Sequence, residues 1–306
     1  MFGGGTCRSV QSVMTLSRFP LVATTALALI ALSACARTDA GGGSGDDAGA
    51  APSSSAPETA AGLVLRMTQE GGFVPAERIV GRIPEVSVYS DGRVITEGPV
   101  PAIYPGPAMP NLQVTTISPD EVAGLAKKAQ DAGVRTGSDL GQPNVADAPN
   151  TRIDVIVDGA TQSVSVAALG MEQANDPRLT PAQREARAKL SAFIDKVREF
   201  GASAQSKPYA AEKIAALAQP YVKQDDGLPG AFAPVAWTGP ALPGEFLNPN
   251  VKIGCVIADG PAVLAATQQA KANQQTPWTS GKEQFRITFR PLLPDEAGCA
   301  DLRKQK

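Results

Sequence analysis

Cysteine and histidine usage decides which chemistry this 306-residue chain could perform, since the sequence has four cysteines and no histidine. Without an imidazole it lacks the usual general base near neutral pH, the Ser-His-Asp and Cys-His nucleophile systems, and histidine-rich catalytic zinc sites. An enzyme built from this chain would have to use carboxylates, lysine, tyrosine or a Ser/Lys pair. No arrangement of these residues matches a catalytic or cofactor motif. The sequence therefore favours a binding protein over an enzyme, and no cofactor or metal is expected.

An uncharged segment near the N-terminus indicates export. It runs from Phe19 to Ala34, Arg8 and Arg18 precede it, and no acidic residue occurs within or before it. A basic region followed by a short apolar region and small residues is typical of a secretory signal peptide, whether translation starts at Met1 or at Met14. The 16 uncharged residues are fewer than the roughly 20 that a membrane-spanning helix needs. Cleavage is therefore the better interpretation.

The residues Leu32-Ser33-Ala34-Cys35 at the end of this segment resemble the lipobox of bacterial lipoproteins. In a lipobox the cysteine sulfur attacks a diacylglycerol donor, which requires a thiolate because a serine hydroxyl is too weak a nucleophile. Two or three acyl chains then hold the mature protein stably on a membrane. The sequence thus predicts a lipoprotein signal peptide at residues 1–34 and a lipid anchor at Cys35, on the extracytoplasmic face of the cell membrane. The alternative is an ordinary signal peptide with an incidental cysteine.

Residues 35–62 are predicted to be the lipidated cysteine and a disordered tether. Ala, Gly, Ser and Pro supply 20 of the 27 residues from 36 to 62, which include no Leu, Ile, Val or aromatic residue. Such a composition cannot bury enough apolar surface to offset the entropy of ordering. Without residues 1–34 the chain has 26 basic and 30 acidic residues, a net charge of −4. This balance excludes a nucleic-acid-binding surface and a polybasic lipid-binding surface.

Hydrophobic patterning in the rest of the chain predicts strands and capped helices. Asp91-Gly92 and Asp158-Gly159 join pairs of short apolar strands, which predicts two β-hairpins. Ser118 and Thr180 each precede a proline and stand three residues before a Glu or Gln, which predicts two N-capped helices. The fold class is therefore α+β, with antiparallel β-hairpins and helices packed on one face. The remaining predicted elements are a strand over 63–68, a proline-rich loop over 98–112, helices over 208–218 and 261–272, and strands over 232–238, 251–257 and 285–290.

Cys255 and Cys299 are the two cysteines of the folded part, since Cys7 lies in or before the signal segment. Two such cysteines in an exported chain most often form a disulfide. A redox pair and half of a metal site are the alternatives, disfavoured because the chain has neither a Cys-x-x-Cys motif nor a histidine. The folded part is long enough for one large core or two smaller ones. We divide it into α+β units at 63–203 and 204–306, the second carrying the disulfide.

Three short motifs carry a likeness to a known family: Gly71-Gly72-Phe73, Asp91-Gly92-Arg93-Val94 and Ser118-Pro119-Asp120-Glu121. Their order over residues 63–200 resembles that of emfourin-like proteins, small inhibitors of thermolysin-type metalloproteases. These are turn and cap residues, so the resemblance implies a fold rather than an activity. The chain departs from the pattern in its proline-rich loop and long C-terminal part, and no inhibitory residue can be matched. The full chain also resembles secreted lipoproteins of actinobacterial type, which implies a surface location.

Four aromatic side chains are the candidate binding residues. Phe73 in the Gly-Gly turn and Tyr104 in the proline-rich loop could form a protein-binding rim, because aromatics on rigid loops lose little entropy on binding. Tyr104 could instead pack beneath its loop. Trp237 and Trp278 could stack on a sugar ring or lie in the core. The sequence thus favours a module that binds a protein partner, with a small-ligand or cell-wall-binding protein and a histidine-free hydrolase as alternatives.

Overall fold

The computed structural model describes residues 62–223, 232–248, 250 and 252–303. These residues form two mainly antiparallel β-sheets with helices packed against them, which confirms the predicted α+β class. The predicted signal peptide at 1–34, the lipidated Cys35 and the tether up to residue 61 lie outside the described residues. Within the described ranges, no helix combines the length and the apolar character needed to cross a membrane.

The first sheet consists of seven antiparallel strands in the order β6-β5-β1-β2-β3-β4-β7. Their bounds are β1 Leu63–Gly71, β2 Val86–Tyr89, β3 Arg93–Glu97, β4 Leu112–Thr116, β5 Pro149–Val157, β6 Ala160–Ala167 and β7 Lys207–Pro208. The predicted turns at Asp91-Gly92 and Asp158-Gly159 join β2 to β3 and β5 to β6. Gly92 has a φ of +86°, and a Cβ there would lie 2.6 Å from the carbonyl oxygen of Ile117. Only glycine fits this turn without strain.

Two long helices, α2 (Pro119–Asp131) and α3 (Pro181–Gly201), cover one face of the first sheet. Both begin as predicted, because the side chains of Ser118 and Thr180 accept the backbone N–H of the third helical residue. The side chain of that residue in turn accepts the backbone N–H of the cap. The apolar core between the helices and the sheet includes Leu65, Met67, Val88, Val94, Leu125, Ile153, Leu190, Ile194 and Val197, each at most 2% exposed.

The second sheet has six strands in the order β10-β11-β8-β13-β12-β9. Their bounds are β8 Lys213–Pro220, β9 Val235–Ala236, β10 Glu245–Asn248, β11 Ile253–Asp259, β12 Pro277–Ser280 and β13 Glu283–Pro291. Helix α4 (Gly260–Gln269) packs on one face; α1 (Ala76–Val80) and α5 (Cys299–Leu302) pack on the other. The predicted disulfide between Cys255 and Cys299 is present and joins β11 to α5.

The helix predicted over 208–218 is wrong, since this part of the chain forms β7 and β8. Residues Ile214 to Ala218 are all at most 2% exposed, because β8 is central and packs on both faces. A strand buried on both faces is continuously apolar rather than alternating. The hydrophobic pattern of such a strand therefore cannot be distinguished from that of a buried helix. The strand predicted over 232–238 is limited to β9. The sequence-based prediction also lacks the helices α1 and α5 and the strands β4, β7, β10 and β12.

Contacts within the first sheet and between the two sheets cross the boundary predicted at residue 203. Strand β7 pairs with β4, and Leu293 belongs to the same apolar cluster as Tyr89. Arg290 and Glu296 form a buried ion pair with an Nη2–Oε1 distance of 2.7 Å, and Arg290 Nε also donates to the carbonyl oxygen of Arg82 at 3.2 Å. The described residues thus belong to one compact unit. Independent folding of 63–203 and 204–306 stays a prediction.

Candidate functional site

One end of the first sheet carries six of the nine exposed large apolar side chains among the described residues. Strands β1, β3 and β6 end there and β2, β4 and β5 begin there, as the pairing of Gly71 with Pro149 and of Glu97 with Leu112 demonstrates. The connections after β1, between β3 and β4, and after β6 therefore emerge at the same edge. We call this edge the loop end. The described chain begins at Gly62, at the opposite end of β1.

The connection between β3 and β4 is the predicted proline-rich loop, and hydrogen bonds close its base. The backbone N–H of Gly98 donates to the carbonyl oxygen of Asn111 at 2.7 Å, and Asn111 Nδ2 donates to the carbonyl oxygen of Pro99 at 2.7 Å. Proline fixes φ and so restricts the backbone between these points. The loop contains five prolines at positions 99, 101, 105, 107 and 110.

The far limb of the loop is attached to the segment between α4 and β12 of the second sheet. The backbone N–H of Ala108 donates to the carbonyl oxygen of Ala272 at 3.3 Å, and that of Gln274 donates to Gly106 at 3.0 Å. Ala108 and Met109 pack against the core of the second sheet. The loop is therefore braced at its base by the first sheet and along its far limb by the second.

Between these attachments the loop presents three large apolar side chains to solvent. Val100 is 64% exposed, and Ile103 and Tyr104 are each 62% exposed. We call these three residues the apolar tip. The Tyr104 hydroxyl accepts a hydrogen bond from Gln275 Nε2 at 2.8 Å, which holds the ring at the surface rather than beneath the loop. A rigid loop with exposed apolar side chains can bind another surface at a small cost in conformational entropy.

Phe73 lies at the same loop end, in the turn that follows β1. Its side chain is 93% exposed, and Val74 beside it is 40% exposed. Gly71 and Gly72 both have positive φ, +62° and +80°, which turns the chain sharply out of the strand. The fold therefore brings Phe73 and Tyr104, the two residues predicted as a binding rim, to one edge of the sheet. Their role in binding stays a prediction.

Trp237 and Trp278 lie elsewhere, in the aromatic core of the second sheet. Trp278 is 1% exposed, and its ring centroid is 6.0 Å from that of Trp237 and 5.4 Å from that of Phe289. The indole N–H of Trp237 donates to the carbonyl oxygen of Pro240 at 2.6 Å. This is the core packing that the sequence offered as one alternative, and Trp278 presents no face on which a sugar could stack.

A groove of about 560 Å³ lies beside the base of the proline-rich loop, between the strand ends and the C-terminal end of α3. We call it the Glu97 groove; its polar lining includes Glu85, Glu97, Asn111, Gln113, Arg198 and Ser206. The walls remove part of the hydration of Glu97 and so raise the pKa of its carboxyl group. Arg290 and Arg78 oppose this rise, and Glu85 adds to it. The groove thus places an exposed carboxylate, on which two arginines act, beside the base of the proline-rich loop.

A second cavity of about 400 Å³ lies between the sheets and holds the carboxylates that a hydrolase would need. Asp295 accepts hydrogen bonds from Arg66 Nη2 and from the Tyr89 hydroxyl, both at 2.8 Å. Burial, together with the charge of Asp295, raises the pKa of Tyr89 well above its ordinary value. Glu296 is occupied by Arg290. Asp295 thus joins its own segment to strands β1 and β2 of the first sheet, while Glu296 holds Arg290 and the backbone of Leu293.

Among the described residues, no group of three or more His, Cys, Asp or Glu side chains is placed to hold a metal ion. Sequence reasoning missed Val100, Ile103 and Glu97. The sequence does contain a signal for Val100 and Ile103. Both are aliphatic residues spaced among prolines, and a proline-rich loop has no core of its own that could bury them. Nothing in the sequence marks Glu97.

The chain matches no protein-family model, no curated protein and no solved structure.

Proposed function

We propose that this chain is an exported, lipid-anchored binding protein that docks a protein partner through its loop end at the outer face of the cell membrane. The observation that carries the proposal is the apolar tip on a braced loop. Three large apolar side chains, each more than 60% exposed, are held by attachments to both sheets. Exposed apolar side chains grouped on one short loop are a common feature of interaction sites.

The position of Gly62 places the attachment of the predicted tether far from the loop end. The backbone N–H of Gly62 donates to the Ser90 hydroxyl at 3.0 Å, and its carbonyl oxygen accepts the N–H of Ser90 at 2.9 Å. The chain from Cys35 thus joins the sheet at the β2–β3 turn. The nine residues of β1 span roughly 27 Å from there to the loop end. An anchor at Cys35, joined through the predicted disordered tether, would leave the loop end free to meet an external partner.

The anchor is tested by replacing its nucleophile. Cys35→Ala removes the only thiol that the lipobox motif can use, so the variant should be recovered in the soluble fraction rather than with membranes. Ser44→Ala in the predicted tether is the control, since residue 44 is present with either start, and it should remain with membranes. Unchanged membrane retention of Cys35→Ala would show that the anchor is wrongly assigned.

The docking surface is tested by photo-crosslinking in cells, with a photoreactive residue at Ile103 or, as the control, at Leu264. Leu264 is also exposed, at 42%, but lies on α4 outside the loop end. We expect one stoichiometric crosslinked protein from position 103 and none from position 264. The crosslink should disappear when Val100 and Tyr104 are both replaced by serine. Equal crosslinking from both positions, or none from either, would refute the proposal.

A protease inhibitor is one form that this function could take, through the resemblance to emfourin-like proteins. Of the three matching motifs, only Gly71-Gly72-Phe73 lies at the loop end; the others lie at the β2–β3 turn and at the start of α2. An inhibitor should therefore depend on Phe73. A Phe73→Ser variant should lose inhibition of a thermolysin-type protease. No inhibition by the wild type would exclude this form and leave the docking proposal intact.

A further inference from the structure

We infer that strand β6 is an interface between two copies of this chain, which pair along it in antiparallel orientation about a two-fold axis at Ser163. β6 is the outermost strand of the first sheet, and β5 is its only neighbour in the described sheets. We call the side of β6 that faces away from β5 its open side. The inference goes beyond the docking of a protein partner, because it concerns the side of a strand rather than the loop end.

The first argument is that β6 lacks the protection that the other outermost strands carry. Outermost strands are usually kept from pairing with other chains by short length, charges, prolines or bulges. β7 has two residues, Lys207 and Pro208, and β9 also has two. β10 begins with Glu245, and its register with β11 shifts after Phe246. β6 has eight residues with no charge and no proline, and it pairs with β5 without a shift. Its open side is therefore the one long, unprotected strand edge of the described sheets.

The second argument is that the open side presents unpaired backbone groups. Both residues of the turn between β5 and β6 have positive φ, +48° at Asp158 and +77° at Gly159, which is typical of a two-residue hairpin turn. Val157 and Ala160 flank this turn and pair with each other. In such a hairpin this pair exchanges hydrogen bonds, as does every second pair beyond it. The residues that direct their N–H and C=O groups to the open side are therefore Thr161, Ser163 and Ser165.

A side chain already accepts a hydrogen bond from one of these groups, which confirms the alternation. The Ser163 N–H donates to the Thr136 hydroxyl at 3.2 Å, and a carbonyl oxygen of a further strand would occupy the same position. The other open-side backbone groups of these three residues form no hydrogen bond with the described part of the chain. The open side ends at Ala167, because Arg187 Nη2 donates to its carbonyl oxygen at 2.7 Å. Residues 161–165 thus form a template for another strand.

The third argument is that a second copy matches this template. A two-fold axis at Ser163 places Ser163 opposite its own equivalent and Thr161 opposite Ser165, so each pair exchanges both of its hydrogen bonds. Hydroxyl side chains opposite each other are favourable cross-strand pairs, and no like charges meet because β6 has no charge. The charges directly across from this stretch on β5, Arg152 and Asp154, already form an ion pair at 2.9 Å. In the dimer the Ser163 N–H exchanges its side-chain acceptor for a carbonyl oxygen of the second copy.

The inference is tested by cysteine crosslinking of the full chain in cells. Residues directly opposite each other in an antiparallel pair have Cα atoms about 5.5 Å apart, which a disulfide can span. Mild oxidation of cells that produce Ser163→Cys should therefore give a covalent dimer that a reducing agent separates. Ala123→Cys, at an exposed position on α2, is the control for random collisions and should remain monomeric. Ser165→Cys should crosslink less than Ser163→Cys, because residue 165 faces residue 161 of the second copy.

Proline variants, each combined with Ser163→Cys, separate strand pairing from other kinds of association. Ser165→Pro removes an N–H that β5 does not use, so the pairing with β5 is retained while the open side is blocked. This variant should reduce crosslinking by roughly tenfold or more. Ser165→Ala is the matched control, since it also loses the hydrogen bond from Ser165 to Glu70 but keeps the N–H, and its crosslinking should be unchanged. Thr161→Pro is a second variant that blocks the open side.

A covalent dimer from position 163, lost in the proline variants and kept in Ser165→Ala, is the expected result. Equal crosslinking from positions 163 and 123, or none from position 163, would overturn the inference. So would crosslinking that persists in a folded proline variant, or a crosslink from position 163 to a different protein. The photo-crosslink from Ile103 should be unaffected by Ser165→Pro, so this inference and docking through the loop end can fail independently.

Discussion

Replacing Glu296 by alanine should destabilise the protein strongly, because it leaves the buried guanidinium group of Arg290 without a counter-charge. Arg290 is 0% exposed and the Glu296 side chain is 3% exposed. Glu296 accepts hydrogen bonds from Arg290 Nη1 at 3.0 Å, from Arg290 Nη2 at 2.7 Å and from the backbone N–H of Leu293 at 2.8 Å. Alanine removes all three and leaves the guanidinium without its counter-charge.

The magnitude follows from this geometry. Removal of one member of a buried, hydrogen-bonded ion pair costs about 3–5 kcal/mol, since the other charge remains out of water. For a folded unit of this size, that loss corresponds to a fall in Tm of roughly 10 °C. Replacing both partners by apolar residues, as in Arg290→Met with Glu296→Leu, removes the unpaired buried charge of Arg290. The double variant should therefore be more stable than Glu296→Ala.

The assay is urea unfolding followed by tryptophan fluorescence, with calorimetry for the Tm. Glu199→Ala is the matched control, because its pair with Lys196 is exposed, and it should change the free energy of unfolding by less than about 1 kcal/mol. The reasoning is refuted if Glu296→Ala loses less than about 1 kcal/mol, or if the double variant is the less stable of the two.

Three further outcomes are expected from urea unfolding. Replacing Cys255 and Cys299 by serine should lower the unfolding free energy by about 4 kcal/mol, since their separation of 44 residues sets the entropy of the unfolded loop; a loss below about 1 kcal/mol contradicts this. The free energy of unfolding should fall as pH rises above about 10. Burial and the charge of Asp295 raise the pKa of Tyr89 in the folded state. Above the ordinary tyrosine pKa, the unfolded chain therefore loses the Tyr89 proton while the folded chain keeps it. The stabilisation from Tyr89 is complete below the tyrosine pKa of the unfolded chain. Tyr89→Phe should make the free energy of unfolding fall less steeply with pH than in the wild type. Equal slopes for the two proteins would exclude Tyr89 as the source. Ser118→Ala should cost about 1 kcal/mol and Ser118→Gly only a few tenths, since glycine tolerates the cap conformation; equal losses would contradict the capping role.

Local signals in the sequence predicted the elements that local interactions decide. The Asp91-Gly92 turn and the cap at Ser118 depend mainly on residues within four positions of each other, so the local sequence is enough to predict them. Strand β8 depends instead on layers packed on both of its faces. Its apolar run is equally compatible with a helix, and only its burial between distant segments makes it a strand.

In the candidate site, too, some features can be predicted from the sequence and others depend on the tertiary structure. The lack of histidine and the proline spacing of residues 98–112 are properties of the sequence, and they favoured a rigid binding loop over a catalytic centre. That Phe73 shares an edge with Tyr104, and that Glu85 stands opposite Glu97, depends on strand order and register. Strand pairing joins residues far apart in the chain, and its register is set by which faces become buried. The sequence by itself therefore determined which side chains are available, and the tertiary structure alone decided which of them meet.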